Sequence, residues 1–144
     1  MTPTLRGRRQ TRIMLMLWVG IPVTFPFCVA AAMTNPLSFF GPYVMLSVVL
    51  LVGLVLDGRY DKQQQERWDH DWPTHLQVRA GIREGLISYV LLFGPCGGIA
   101  LLNPTFLVVF PVHYFVVWFL SFLIVQGPIR VLFVSWRYRG GELW

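Results

Sequence analysis

The sequence has few charged residues. Only 13% of its 144 residues are Asp, Glu, Lys or Arg, whereas soluble domains carry about 25%. Apolar residues make up 55%, and the mean hydropathy is +0.55. This composition excludes a soluble enzyme and a disordered chain, and two cysteines are too few for a disulfide-rich secreted module. The composition therefore predicts a membrane protein.

Motifs of the common soluble enzymes are also missing. The chain has no Walker loop, no Gly-x-Gly-x-x-Gly, no Gly-x-Ser-x-Gly elbow and no Cys-x-x-Cys. Its long apolar stretches contain no Asp, Glu, Lys or Arg, the residues that ion-coupled transporters and proton pumps usually carry within the membrane. We therefore expect neither catalysis nor a cofactor, and the lack of charge counts against transport.

Four apolar stretches are present, at about 13–33, 39–56, 86–102 and 106–126. A helix of about 21 residues is ~32 Å long, which is enough for a bilayer core of ~30 Å. The links within each pair are only a few residues long, and such short links force antiparallel hairpins. We expect an all-α, polytopic membrane protein whose four transmembrane helices form two tandem helical hairpins.

The basic residues indicate the orientation. All twelve lie outside the apolar stretches, and none lies in either hairpin tip: Arg6, Arg8, Arg9, Arg12, Arg59, Lys62, Arg67, Arg79, Arg83, Arg130, Arg137 and Arg139. By the positive-inside rule, both termini and the central loop are cytoplasmic. The net charge of +5 is thus a topology signal, and nucleic acid binding is not needed to explain it.

These boundaries divide the chain into five segments. They are a basic cytoplasmic N-terminus (1–12), a first transmembrane hairpin (13–56), a cytoplasmic loop (57–85), a second transmembrane hairpin (86–126) and a cytoplasmic or interfacial tail (127–144). The charge asymmetry and the lack of organelle signals favour the inner membrane of a bacterial cell.

The two hairpins share a pattern at a constant offset. Cys28 and Asn35-Pro36 align with Cys96 and Asn103-Pro104, 68 residues later. A duplicated hairpin explains this pattern, and repeats of this kind build several transporters. Good turn chemistry combined with chance similarity of apolar segments explains it equally well.

Three residues are candidates for a transport path. Cys28 and Cys96 would lie at matching depth if the repeat is real, as a disulfide or a thiolate pair for a soft metal. Small buried hydrophobic side chains are the simpler interpretation of both. His113 is ionisable and lies within the fourth stretch, although a neighbouring helix can satisfy a neutral histidine.

The central loop contains a cluster of potential metal ligands, Asp69, His70, Asp71 and His75. Imidazole and carboxylate bind zinc, manganese and non-haem iron. His70-Asp71 followed by His75 resembles one histidine box of the membrane desaturases and hydroxylases. The resemblance covers six residues, and those enzymes use several boxes, so three histidines do not complete a di-iron site unless subunits share it.

The loop and the tail also carry candidate interaction residues. Trp68 and Trp72 suit the headgroup level of a bilayer, and Asp71 can cap a helix that opens near Pro73. The six candidates are Trp68, Trp72, Arg79, Arg83, Arg130 and Trp136. Their partners would be lipid phosphates or another protein. We expect Gly127-Pro128 to end the fourth helix before Arg130 and Trp136.

The leading hypothesis is a non-catalytic accessory or assembly subunit of an inner-membrane complex, such as a secretion or conjugation apparatus. Its partners would be the lipid bilayer and other subunits of that complex, or a second copy of the chain. One alternative is a small homo-oligomeric transporter or channel built from the duplicated hairpin. A second alternative is a metal-dependent membrane enzyme that uses His70 and His75.

Overall fold

The structure is a computed structural model that describes residues 3–67, 73–94, 98–99 and 103–143. Its elements in this part of the chain are all helical. The main helices are α1 (Leu5–Leu15), α2 (Ile21–Thr34), α3 (Gly41–Arg67), α4 (Thr74–Phe93), α5 (Phe106–Gln126), α6 (Pro128–Leu132) and α7 (Val134–Tyr138). A π-helical turn (Met16–Gly20) joins α1 to α2, and a short 3-10 helix (Pro36–Ser38) precedes α3.

Three helical segments are long and apolar enough to cross a membrane, namely Leu5–Thr34, Pro36–Glu66 and Phe106–Leu132. They correspond to the first, second and fourth predicted spans and indicate a membrane protein. The third predicted span, 86–102, is only partly described. The described α4 begins with a charged half that contains Arg79, Arg83 and Glu84.

The first helical segment continues through two prolines. Thr4 caps α1, because its hydroxyl accepts a hydrogen bond of 3.0 Å from the Gly7 amide. Pro22 and Pro26 lack an amide hydrogen and cannot close the usual helical bond. The π-helical turn lies directly before Pro22, where such a turn accommodates the local loss of regular bonding.

Both hairpin tips turn at an asparagine followed by proline, as the sequence predicts. The Asn35 carboxamide oxygen accepts from the Leu37 amide at 3.1 Å, and the Asn103 oxygen accepts from the Thr105 amide at 3.0 Å. The Asn103 amide also donates to the Thr34 hydroxyl at 3.0 Å. The two tips are thus hydrogen-bonded to each other at one end of the bundle, here called the turn end.

The opposite end, here called the terminal end, gathers the start of α1, the end of α3, the start of α4 and the end of α5. Gln126 at the end of α5 donates to Gln77 in the first turn of α4 at 3.3 Å. Helix α3 packs against α1, α2, α4 and α5, and α5 also packs against α2 and α4. The described helices therefore form an up-and-down bundle with α3 at its centre.

The predicted loop 57–85 is helical over most of its described length. Helix α3 continues to Arg67, and α4 starts at Thr74, directly after Pro73. Proline fits the start of a helix, because the first amides have no partner within the helix. The break at Gly127-Pro128 is confirmed, since α5 ends at Gln126 and α6 begins at Pro128.

The tail folds back onto α1. The Thr4 amide donates to the Gly140 carbonyl at 2.8 Å, and Gly7 packs directly against the backbone of Gly140 and Gly141. Both tail glycines have positive φ values, 62° and 90°, which residues with a Cβ adopt only with strain. Two glycines in sequence thus allow the turn that brings the tail against the first helix.

Candidate functional site

A partly buried arginine lies between two carboxylates at the terminal end of the bundle. Arg12 donates to Asp57 through Nε at 3.1 Å and through the guanidinium at 2.8 Å. It also donates to both oxygens of Glu84, at 2.8 and 2.9 Å. Asp57 is 1% exposed and Glu84 is 6% exposed. Paired, bidentate geometry of this kind satisfies charges that would be costly to bury alone.

Each member of this ion cluster (Arg12, Asp57 and Glu84) comes from a different helix. Arg12 is in α1, Asp57 in α3 and Glu84 in α4. Gly53, one turn before Asp57, leaves the space that the guanidinium occupies, and a Cβ at that position would overlap it. The cluster joins the first hairpin (α1 to α3) to the second (α4 and α5).

Close helix packing surrounds the ion cluster. The Tyr114 hydroxyl donates to the Gly81 carbonyl at 2.6 Å, and the Trp118 indole lies directly over Gly81. The Tyr60 hydroxyl donates to the Ala80 carbonyl at 3.3 Å. These contacts hold α4 between α3 and α5, so Glu84 has a fixed position relative to Arg12.

A cavity of about 200 Å³ lies beside the ion cluster at the terminal end. Its charged lining consists of Arg8, Arg12, Arg130, Asp57 and Glu84. Three guanidinium groups against two carboxylates give this lining one net positive charge. The remainder is mixed in character and includes Trp118, Trp136, Ser121, Leu15 and Phe122.

A second cavity of about 120 Å³ continues from the first toward the middle of the bundle. Arg12, Glu84 and Trp118 line both cavities, and His113 lines the second. His113 Nε2 shares a hydrogen bond of 2.7 Å with the Thr24 hydroxyl. Its Nδ1 is buried and has no hydrogen-bond partner among the described residues. The second cavity is mainly apolar, with Leu46, Val49 and Val117 in its wall, and its polar groups include Arg12, Glu84 and His113.

Two of the three predicted transport-path residues lie in the described part of the chain. Cys28 is fully buried in α2 with a free thiol, and His113 is buried in α5. Cys96 lies outside the described residues. The suggested pairing of Cys28 with Cys96 therefore stays a prediction.

Of the predicted metal ligands, only His75 lies in the described part of the chain. It is exposed in the first turn of α4. Asp69, His70 and Asp71 lie outside the described residues. Among the residues that the structure describes, no three His, Cys, Asp or Glu side chains cluster in a way that suits a metal ion.

The predicted interaction residues differ in their exposure. Arg79 and Arg83 are exposed on one side of α4. Trp136 is only 2% exposed. Its indole nitrogen donates to the Thr11 hydroxyl at 2.8 Å. Arg130 is half-buried and faces the larger cavity. Trp68 and Trp72 lie outside the described residues.

Sequence reasoning did not identify the ion cluster. It interpreted Arg12, Asp57 and Glu84 as charges that lie outside the membrane spans. One signal was available, since all three lie within two residues of a predicted span boundary on the side of the termini. Charges at one level on three adjacent helices are placed to meet one another.

Comparison with known proteins adds no assignment. No protein-family model, curated protein or solved structure matches the chain. Its function is therefore inferred from the arrangement of its own residues.

Proposed function

We propose that the chain is a four-span inner-membrane protein of a bacterial cell that acts as a non-catalytic accessory or assembly subunit of a membrane complex. The observation that carries this proposal is the engagement of Arg12 with both Asp57 and Glu84. All hydrogen bonds of this cluster are internal to the bundle. It stabilises the helix arrangement and leaves no acid or base of the cluster free for chemistry.

In this proposal the remaining span is the predicted stretch 86–102, of which the structure describes the apolar half of α4. Leu86, Val90 and Leu91 on this half are exposed in the isolated chain. Side chains of this kind match a lipid environment, where apolar residues face outward. Arg79 and Arg83 stand on the same helix toward the terminal end, as basic residues do at a cytoplasmic membrane boundary.

The orientation follows from the same charges. The terminal end of the bundle carries the basic residues of α1, α3 and α4, while the turn end carries none. The positive-inside rule then places the terminal end, with both chain termini, in the cytoplasm. The two Asn-Pro turns face the opposite side of the membrane.

The docking surface of the subunit is the exposed face of α4. Arg79 and Arg83 lie four residues apart and therefore on one side of the helix, with Ile82 exposed beside them. A mixed basic and apolar face of this kind suits an acidic, partly apolar protein surface. The tail is a weaker candidate, because Trp136 is turned inward against α1.

The test is gentle extraction of a tagged copy, followed by native mass measurement and identification of stoichiometric partners. The decisive variant is Arg79→Ala with Arg83→Ala. Its matched control is Arg59→Ala with Lys62→Ala, which removes two exposed basic residues from α3 instead. We expect an unrelated membrane or cytoplasmic partner that the α4 variant loses and the α3 control retains. A chain that purifies alone, or equal loss in both variants, contradicts the proposal.

The two adjoining cavities favour a second candidate, a small homo-oligomeric transporter. They lead from the terminal end past the ion cluster to His113 and Thr24. A homo-oligomer without any partner would support this candidate. In that case Thr24→Val, which removes the hydroxyl and keeps the size of the side chain, should lower the rate of solute uptake into proteoliposomes.

The metal-dependent enzyme is a separate alternative that rests on His70 and His75. Substituting both histidines while measuring bound metal tests it. Unchanged metal content in the double variant would reject a site at these residues.

A further inference from the structure

Arg130 is a half-buried cation that has no partner among the described residues. It lies in α6, just after the Gly127-Pro128 break, and lines the larger cavity. Its Nε atom is buried, and the side chain makes no hydrogen bond or ion pair with the described residues. A buried N–H group without an acceptor is costly, so the Nε atom of Arg130 favours an acceptor that enters the cavity from outside the described chain.

The other two arginines of the cavity do not supply an acceptor for Arg130, because each is itself a cation. Arg12 is already held by Asp57 and Glu84 and has little capacity for another anion. Arg8 donates to the Gln64 carboxamide at 2.5 Å, and it lines the same cavity as Arg130. With Arg12 held by the two carboxylates, the positive charge of Arg130 on the cavity wall favours a negatively charged ligand.

The shape and lining of the cavity fit a small anion with an apolar attachment. Its volume of about 200 Å³ equals roughly six water molecules at ~30 Å³ each. Leu15, Phe122 and Val125 form an apolar part of the wall, and Trp118 and Trp136 contribute aromatic rings. An arginine beside such a wall is suited to a phosphate, whose oxygens accept its planar array of donors.

We propose that this cavity binds a phosphate group, with Arg130 as its principal ligand and Arg8 as a second cation. The phosphate comes either from an anionic lipid headgroup or from a soluble phosphate compound. In both cases the bound group neutralises Arg130 and ties α6 to α1. This site is distinct from the α4 docking surface and does not depend on it.

The experiment compares wild-type protein with Arg130→Gln in nanodiscs of phosphatidylcholine alone and in nanodiscs that also contain phosphatidylglycerol. Thermal stability and the amount of retained phosphatidylglycerol are measured, and inorganic phosphate is titrated in parallel. We expect Arg130→Gln to weaken anion binding at least about tenfold, because a charge-assisted hydrogen bond to a buried group is lost. Since Arg130 makes no bond to the described residues, this variant should keep the fold.

Two further variants distinguish loss of the site at Arg130 from a general loss of positive charge. Arg130→Lys retains the charge without the planar donors and should bind with intermediate strength. Arg79→Gln removes an exposed arginine from α4 and should behave like wild type. Loss of phosphatidylglycerol alone in Arg130→Gln identifies a lipid headgroup, and loss of the response to inorganic phosphate identifies a soluble ligand. Equal responses of wild type and Arg130→Gln to both anions would overturn the proposal.

Discussion

Arg12 and Glu84, 72 residues apart in the chain, are joined by two hydrogen bonds of 2.8 and 2.9 Å. The pair connects the first helix to the fourth, while the same guanidinium also holds Asp57 of the third. The cluster therefore joins three helices through one guanidinium group, and substitutions at its members should affect the packing of both hairpins.

Replacement of Arg12 by Gln should destabilise the protein by about 3 kcal/mol, because two buried carboxylates lose their cation. The free energy of unfolding in mixed micelles measures this effect. Lys62→Gln is the control, since its ammonium is exposed and lies 3.7 Å from Glu66. The control should change stability by less than ~1 kcal/mol.

A triple variant separates charge from packing. Arg12→Met combined with Asp57→Leu and Glu84→Met removes all three charges and keeps apolar volume. Such replacements of a complete buried cluster are often neutral or stabilising. We expect recovery of most of the stability lost in Arg12→Gln. If the triple variant is no more stable than the single variant, unpaired charge is not the cause of the loss.

Two glycines of α3 should respond to alanine in opposite directions. At Gly53 a Cβ would overlap the Arg12 guanidinium, whereas at Gly58 a Cβ would meet no atom within 4 Å. Gly53→Ala should therefore destabilise by about 1–3 kcal/mol. Gly58→Ala should stabilise by about 0.5–1 kcal/mol through helix propensity. Thermal unfolding of both variants checks this, and a shift of the same sign in both would contradict the close approach of Arg12.

The contact between Trp136 and Thr11 is expected to hold the tail against α1. Trp136→Phe keeps an aromatic ring and removes the bond to the Thr11 hydroxyl, a loss of about 1 kcal/mol. Trypsin cleavage at Arg139 should accelerate about fivefold, since the open population rises by that factor. Tyr138→Phe alters an exposed ring nearby and should leave the rate unchanged. An unchanged rate in Trp136→Phe would show that the contact does not hold the tail.

Cysteine labelling tests the orientation. In a background of Cys28→Ala and Cys96→Ala, we place single cysteines at Leu37, which is 87% exposed in a hairpin tip, and at Lys62, whose side chain is 75% exposed. A membrane-impermeant maleimide should label Leu37→Cys in intact cells. It should label Lys62→Cys only after permeabilisation. The reverse pattern would place the termini outside the cytoplasm.

Part of the fold could be predicted because its signals are local. Asn35-Pro36 and Asn103-Pro104 form turns through their own side chains, and Gly127-Pro128 ends α5 without help from other segments. Apolar length alone identifies three of the helices. These features depend on neighbouring residues, so sequence reasoning reached them.

The ion cluster and the inward tail depend on segments that are distant in sequence. Arg12 meets Asp57 and Glu84 only after three helices have packed, and Trp136 meets Thr11 across 125 residues. Charges beside an apolar stretch are normally interpreted as orientation signals. That rule assigns a side of the membrane to each charge and gives no information about whether the charges pair.

The composition of the ion cluster also sets an order for biosynthesis. Arg12 and Asp57 both belong to the first hairpin, so the nascent chain can neutralise them against each other before Glu84 has been translated. Glu84 of α4 can then pair with the guanidinium, which already lies beside Asp57. Because the N-terminal part of a chain emerges first during synthesis, the Arg12–Asp57 pair allows the first hairpin to form before the second packs against it.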